Sequence, residues 1–152
     1  AHADHLDPDR LPDAPLWAPA EACEQLGRDT AVAPGETITV AGLDIEVLGG
    51  QHAPIHPSIP RPANVGYYLG GLLHPGDQYI DHSADVLLLP IAGPWVKAAE
   101  AADYAQRVGA AATVPIHDAV LSDVGRTAFD TMLTKAGVQG YKRLNPGEKF
   151  TA

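Results

Sequence analysis

Within the first five residues, AHADH, stand His2, Asp4 and His5. These are side chains of the types that bind divalent metals, close enough together for one short loop to present all three. Chain ends are usually frayed, and a frayed end has no use for preorganised ligands. The cluster therefore points to a segment that the rest of the fold holds in place. Further histidines follow beside β-type runs: His52 after EVLGGQ, His74 before PGD and His117 after ATVP. Loops at strand ends are where α/β folds build their sites. The question is whether the intervening elements bring these loops together.

Pro8, Pro12, Pro15 and Pro19 keep the early path irregular, and PAEACEQLG reads as a short helix with Pro19 in its first turn, ending near Gly27. ETITVAGLDIEVLGG holds two β-rich runs, 37–40 and 43–48, joined at Ala41-Gly42 as a hairpin. Alternation of Ile45 and Val47 with Asp44 and Glu46 gives the second run one buried face. NVGYYLGGLLHPGD repeats the pattern: a strand over 64–69, a Gly70-Gly71 turn, and a strand ending at Pro75-Gly76-Asp77. The grammar then changes. ADVLLLP is a continuous apolar run, as for a strand covered on both faces. WVKAAEAADYAQRVG reads as a helix with Val96, Ala99, Ala102 and Tyr104 inward and Lys97, Glu100, Asp103 and Arg107 outward. AATVPIH is a further strand, DVGRTAFDTMLTKAG a helix ended by Gly137, and YKRL a last short strand. Hairpins followed by βαβαβ predict an α/β fold, with sheets covered by helices rather than a barrel.

The 152 residues are expected to form a single domain with a real core, since 45% are hydrophobic. Ten Lys and Arg against 19 Asp and Glu give a formal net charge of -9. No diffuse basic field exists to collect nucleic-acid phosphates, so no nucleic-acid partner is expected. A single cysteine, Cys23, excludes an internal disulfide framework and fits a reducing, cytoplasmic setting, where it serves as a small buried hydrophobe. DVLLLPIAG is too short to span a bilayer and is broken by Pro90, so no membrane partner is expected either.

Taken in order, a His-x-Asp-His stretch, a His after Gly-Gly-x, the Asp of His-Pro-Gly-Asp and the His of Pro-Ile-His-Asp resemble the metallo-β-lactamase-fold hydrolase superfamily. The first motif of that superfamily is His-x-His-x-Asp-His, and AHADH matches it apart from the leading His. QHAPIHPSIPRPANVGYYLGGLLHPGD, DVLLLPIAGPW and VPIHDA look most like the branch that includes ascorbate-6-phosphate lactonase. The resemblance implies an αβ/βα two-sheet sandwich. Residues 1–152 would be the C-terminal larger part of that domain, with its N-terminal strands absent from this chain.

By the same resemblance, His2 and His52 would bind a first metal, Asp4, His5 and His117 a second, and Asp77 would bridge the two. Two divalent ions are implied, zinc first and manganese second. Such a pair lowers the pKa of a bridging water and polarises the electrophile it attacks. Asp4 could also orient the hydroxide. His56 is the candidate proton donor or anion contact, Arg61 the candidate partner of a phosphate or carboxylate, and Trp95 a candidate pocket wall. Asp118 is a candidate acceptor from a ligand imidazole. Asn64, Tyr67 and Tyr68 read as packing, and His74 and His82 have no motif role. The expected activity is hydrolysis of a small anionic ester, lactone or phosphodiester. The shortened first motif supports a second expectation, a non-catalytic metal-binding or assembly module. Either way an N-terminal fragment or second chain is expected to complete the fold, because an open sheet edge invites pairing.

Overall fold

The turn residues and apolar runs fold into one sheet whose six strands lie side by side in chain order. The computed structural model describes residues 6–28 and 30–150; His2, Asp4 and His5 lie outside them. The strands are β1 (Thr37–Val40), β2 (Leu43–Gln51), β3 (Ala63–Leu69), β4 (Leu72–His74), β5 (Val86–Pro90) and β6 (Ala112–Ile116). β1 to β4 pair antiparallel, and β4, β5 and β6 pair parallel. The helices are α1 (Ala20–Leu26), α2 (Ala98–Val108) and α3 (Asp123–Lys135), with a 3-10 turn at Pro8–Arg10. Two-residue turns close the β1–β2 and β3–β4 hairpins, whereas α2 provides the crossover that the parallel β5–β6 pair requires.

The β1–β2 turn has φ of 53° at Ala41 and 82° at Gly42, the two left-handed central residues of a tight hairpin turn. β2 runs three residues past the expected Leu48, through Gly49, Gly50 and Gln51, all paired to β3. Gly49 has φ of 80°, and a Cβ there would stand 2.1 Å from Gln78 Nε2. Only glycine lets the strand continue and the Gln78 amide approach it.

The core lies between the sheet and the later helices. Leu73 of β4 and Leu87 and Leu89 of β5 are fully buried with Ile91, against Ala101, Tyr104, Ala105 and Val108 of α2 and Leu133 of α3. Each buried leucine contributes about 2 kcal/mol. The inward stripe of α2 is Ala101, Tyr104, Ala105 and Val108, spaced by three and four residues. Ala99, expected inward, is instead exposed, because it lies two residues, about 200° of helix, from Ala101. Ala102, expected inward, is buried.

YKRL is not a strand. Tyr141 forms a single parallel bridge to Thr113, with the Thr113 amide donating to Gly140 O and the Lys142 amide to Thr113 O. The strap ends where Arg143 turns to ion pairs with α3 and the loop after β6. Among the described residues there is one sheet, so the expected second sheet of a sandwich is not among them. Among them too, no helix is long and apolar enough to cross a membrane.

Candidate metal centre

His52, Asp77 and His117 each stand just beyond a strand, β2, β4 and β6 respectively. The fold brings these three ends to one place. The Ala53 amide donates to Asp77 O at 2.7 Å, which ties the first two loops, and the His52 amide donates to Pro62 O at 3.0 Å, which closes the first loop on itself. Asn64 holds the Asp77 turn: its Oδ1 accepts from the Asp77 amide at 3.0 Å and its Nδ2 donates to Pro75 O at 3.3 Å. Gly76 has φ of 65°, and a Cβ there would collide with that Asn64 amide. Asn64 thus shapes the site, a role that reading it as packing missed. The signal available was the Gly-Asp turn itself, which needs a local polar partner.

Asp77 lies between the two imidazoles. His52 Nε2 is 3.1 Å from Asp77 Oδ2, and His117 Nε2 is 3.4 Å from Asp77 Oδ1. The Asp77 side chain is only 4% exposed and that of His52 5%. The opposite ring nitrogens meet carbonyl oxygens: His52 Nδ1 is 2.5 Å from Ala53 O and His117 Nδ1 is 2.7 Å from Ala92 O. A carbonyl only accepts, so the proton of each ring belongs on Nδ1. Each Nε2 then directs a lone pair toward a carboxylate oxygen. Such a contact is favourable only with a proton or a cation between the two atoms.

The donor set fits a divalent cation. Metal-bound histidines characteristically donate their second ring N–H to a carbonyl or carboxylate. Nitrogen and oxygen donors about 2.1 Å from a tetrahedral ion stand about 3.4 Å apart, close to both Asp77 distances. Among the described residues, no set of three or more His, Cys, Asp or Glu side chains forms a metal cradle by itself. The geometry is two pairs sharing Asp77, and three of the six expected ligands lie outside the described residues.

His117 has φ of 57°, a left-handed conformation uncommon for a residue with a Cβ. Gly93 passes close to it: a Cβ on Gly93 would lie 3.4 Å from His117 Cε1 and 3.1 Å from Trp95 Nε1. Trp95 is buried and stands edge-on to His52, with ring centroids 5.9 Å apart. Behind it, Tyr79 meets Trp95 at 5.2 Å and stacks on Tyr104 at 4.5 Å. Burial, with Glu100 next, pushes the Tyr79 hydroxyl above its ordinary pKa, so it remains a neutral phenol.

Arg61 and Trp95 border one cavity of about 490 Å³ together with Gln51, Gln78 and Lys97. Arg61 Nε donates to His52 O at 2.5 Å, which anchors an otherwise exposed guanidinium beside the His52 loop. A second cavity of about 260 Å³ is bordered by His52, Asp77 and Asn64 on one side and by Leu11, Leu16 and Trp17 on the other. His56 is not brought to either cavity; it is exposed, with Nδ1 2.8 Å from Ser58 Oγ. The Asp118 carboxylate is not the acceptor for His117. It faces Arg143 and Arg126, and Ala92 O takes the ring N–H instead.

The sequence model of one family, the beta-lactamase superfamily domain, matches residues 1–117. The chain belongs to the metallo-β-lactamase superfamily. Protein Rv0786c of Mycobacterium tuberculosis strain H37Rv is 38% identical over 159 residues, covering 94% of this chain and 75% of that protein. The fold also matches solved structures. A candidate metal-dependent hydrolase from Parabacteroides distasonis superposes with a TM-score of 0.71 at 22% identity, covering 94% of this chain and 72% of that one. Igni18, a metallo hydrolase from Ignicoccus hospitalis, superposes with a TM-score of 0.70 at 20% identity, covering 99% and 77%. The superfamily match spans all three strand ends that carry His52, Asp77 and His117.

Proposed function

We propose that the chain is a dinuclear metal-dependent hydrolase of a small anionic ester, lactone or phosphodiester. The carrying observation is Asp77, buried between two histidines whose Nδ1 atoms both meet backbone carbonyls. In this reading His52 with His2 serves one ion, and His117 with Asp4 and His5 serves the other. Asp77 spans both, and Asp4 also orients the attacking water. When bound, two divalent ions, zinc before manganese, supply Lewis acidity and a water activated near neutral pH.

The chain's own residues do the rest. Ala53 O and Ala92 O hold the imidazoles in the tautomer that turns the Nε2 lone pair toward Asp77. Arg61 and Lys97 border the cavity of about 490 Å³ and give an anionic substrate two cationic contacts, with Trp95 as its apolar wall. His56 remains the proposed proton donor, reached by movement of its loop. The wider resemblance of residues 51–77, 85–95 and 114–119 favours the ascorbate-6-phosphate lactonase-like branch within this class.

Metal analysis of carefully purified protein, followed by hydrolysis assays on aryl ester, lactone and bis-aryl phosphodiester probes, tests it. Stoichiometric transition metal, with turnover lost in Asp77→Ala, is the expected result. Protein that retains no metal and turns over none of the probes after zinc or manganese addition would sink the reading. The assembly-module alternative would then take its place.

A further inference from the structure

We propose that Arg143 is a positioning residue for His117, acting through Asp118; this rests on the reading of His117 as a metal ligand. The place of Arg143 follows from the strap after α3. The Thr113 amide donates to Gly140 O at 3.1 Å and the Lys142 amide to Thr113 O at 2.9 Å, which lays residues 140–142 beside β6. Arg143 thereby arrives at the loop that begins with His117.

Its guanidinium is used on two sides. Nε and Nη2 form a fork on the two oxygens of Asp130 in α3, both at 2.7 Å, and Nη1 donates to the Asp118 carboxylate. The Tyr141 hydroxyl donates to Asp130 at 2.6 Å, fixing the far end of the fork. Arg126 Nε adds a second cation 3.3 Å from Asp118. The backbone of Asp118 is also held, since its carbonyl accepts from the Leu121 amide at 3.0 Å. A planar five-donor group pinned to a helix is the side chain suited to holding such a carboxylate in one orientation.

The residue before Asp118 is the one that needs holding. His117 has φ of 57°, which an L-residue leaves for negative φ unless its neighbours over-determine it. Relaxation would swing the imidazole, losing the Ala92 O bond and the alignment of Nε2 with Asp77. Arg143 opposes that relaxation by fixing the next residue along the chain.

The test uses the metal-free full chain first. Nitrogen-15 NMR of the His117 ring, together with hydrogen exchange at the amides of 118–121, is compared among wild type, Arg143→Met and the stability control Val108→Ala. Arg143→Met is expected to average the His117 ring signals and speed exchange of those amides about tenfold. Val108→Ala should leave both unchanged while lowering global stability. Asp118→Asn, which keeps the packing but weakens the clamp, should move the same signals in the same direction and serves if Arg143→Met does not fold. His117 signals in both clamp variants identical to wild type would overturn the proposal. A Co²⁺ titration is then expected to show about tenfold weaker binding and an altered visible spectrum in Arg143→Met. Wild type that binds no Co²⁺ would overturn the metal reading alone, because the metal-free ring and exchange signals decide the positioning role independently.

Discussion

Among the described residues, two other than glycine have left-handed backbones, Ala41 with φ of 53° and His117 with φ of 57°, and they sit at opposite edges of the same sheet. Ala41 is exposed at the tip of the β1–β2 hairpin, followed by Gly42. Its conformation is set by the turn. His117 leaves β6, the other edge strand, and is surrounded by devices that hold it. Its ring meets Ala92 O, its neighbour Asp118 is gripped by Arg143, and Gly93 leaves room beside it. The same strained backbone is thus a consequence of turn geometry at one edge and part of a constructed site at the other. Relieving it should help the first and damage the second.

The most severe break falls on the ring itself. His117→Ala should relax the backbone but remove a proposed ligand. We expect metal affinity and hydrolysis to fall by more than about 100-fold, the upper range for loss of a residue that merely orients a ligand. Metal titration alongside thermal melts checks it. Unchanged affinity would mean that His117 is strained for some other reason.

Gly93→Ala comes next. Its φ of 133° is a region almost reserved for glycine, and the added Cβ would press on Trp95 Nε1 and His117 Cε1 at 3.1 and 3.4 Å. A loss of about 2 kcal/mol in stability is expected, with weaker metal binding, read by urea unfolding and titration of the same sample. The corresponding substitution Gly70→Ala has φ of 51° but no atom within 4 Å of the new Cβ. It should cost only about 1 kcal/mol and spare the metal.

The Arg143 fork can be probed through pH. Its hydrogen bonds, chiefly, and the Tyr141 hydroxyl hold the Asp130 carboxyl below its usual range despite partial burial. A carboxylate with a lowered folded pKa adds stability above its unfolded value of about 3.9, and that stability disappears as pH falls through the folded value. Asp130→Asn should therefore lower stability by about 1 kcal/mol at pH 7, and the gap from wild type should narrow below about pH 4. Chemical unfolding at pH 7 and pH 3 measures it; a constant gap would mean that the lost charge is irrelevant.

The two edges also differ in how far their sequence revealed them. The β1–β2 hairpin was legible because alternation of Ile45 and Val47 and the Ala41-Gly42 turn are local signals. The apolar run 86–90 and the helix after it were legible for the same reason, although the inward face of α2 was misjudged at Ala99. His52, Asp77 and His117 could be picked out as chemistry-bearing, and the structure brings them together. What no local pattern shows is who holds them. Ala92 O, Asn64 and Arg143 act from 25, 13 and 26 positions away along the chain from the groups they hold or steer. YKRL was misjudged similarly: it was read as a last short strand, but the ion pairs of Arg143 end the pairing after one bridge.

The smallest change sharpens the comparison from its unsupported side. A left-handed backbone costs an alanine roughly 1–2 kcal/mol, while asparagine tolerates it through local hydrogen bonds of its side chain. Ala41→Asn before Gly42 creates the Asn-Gly pair that this hairpin turn favours most. Ala41 is exposed and far along the sheet from β6, so no packing opposes the change. A gain of about 0.5 kcal/mol is expected, with m-value and metal affinity unchanged. A gain accompanied by altered metal binding would mean that strain at the hairpin is transmitted across six strands to His117. The two left-handed residues would then have to be understood as one coupled device.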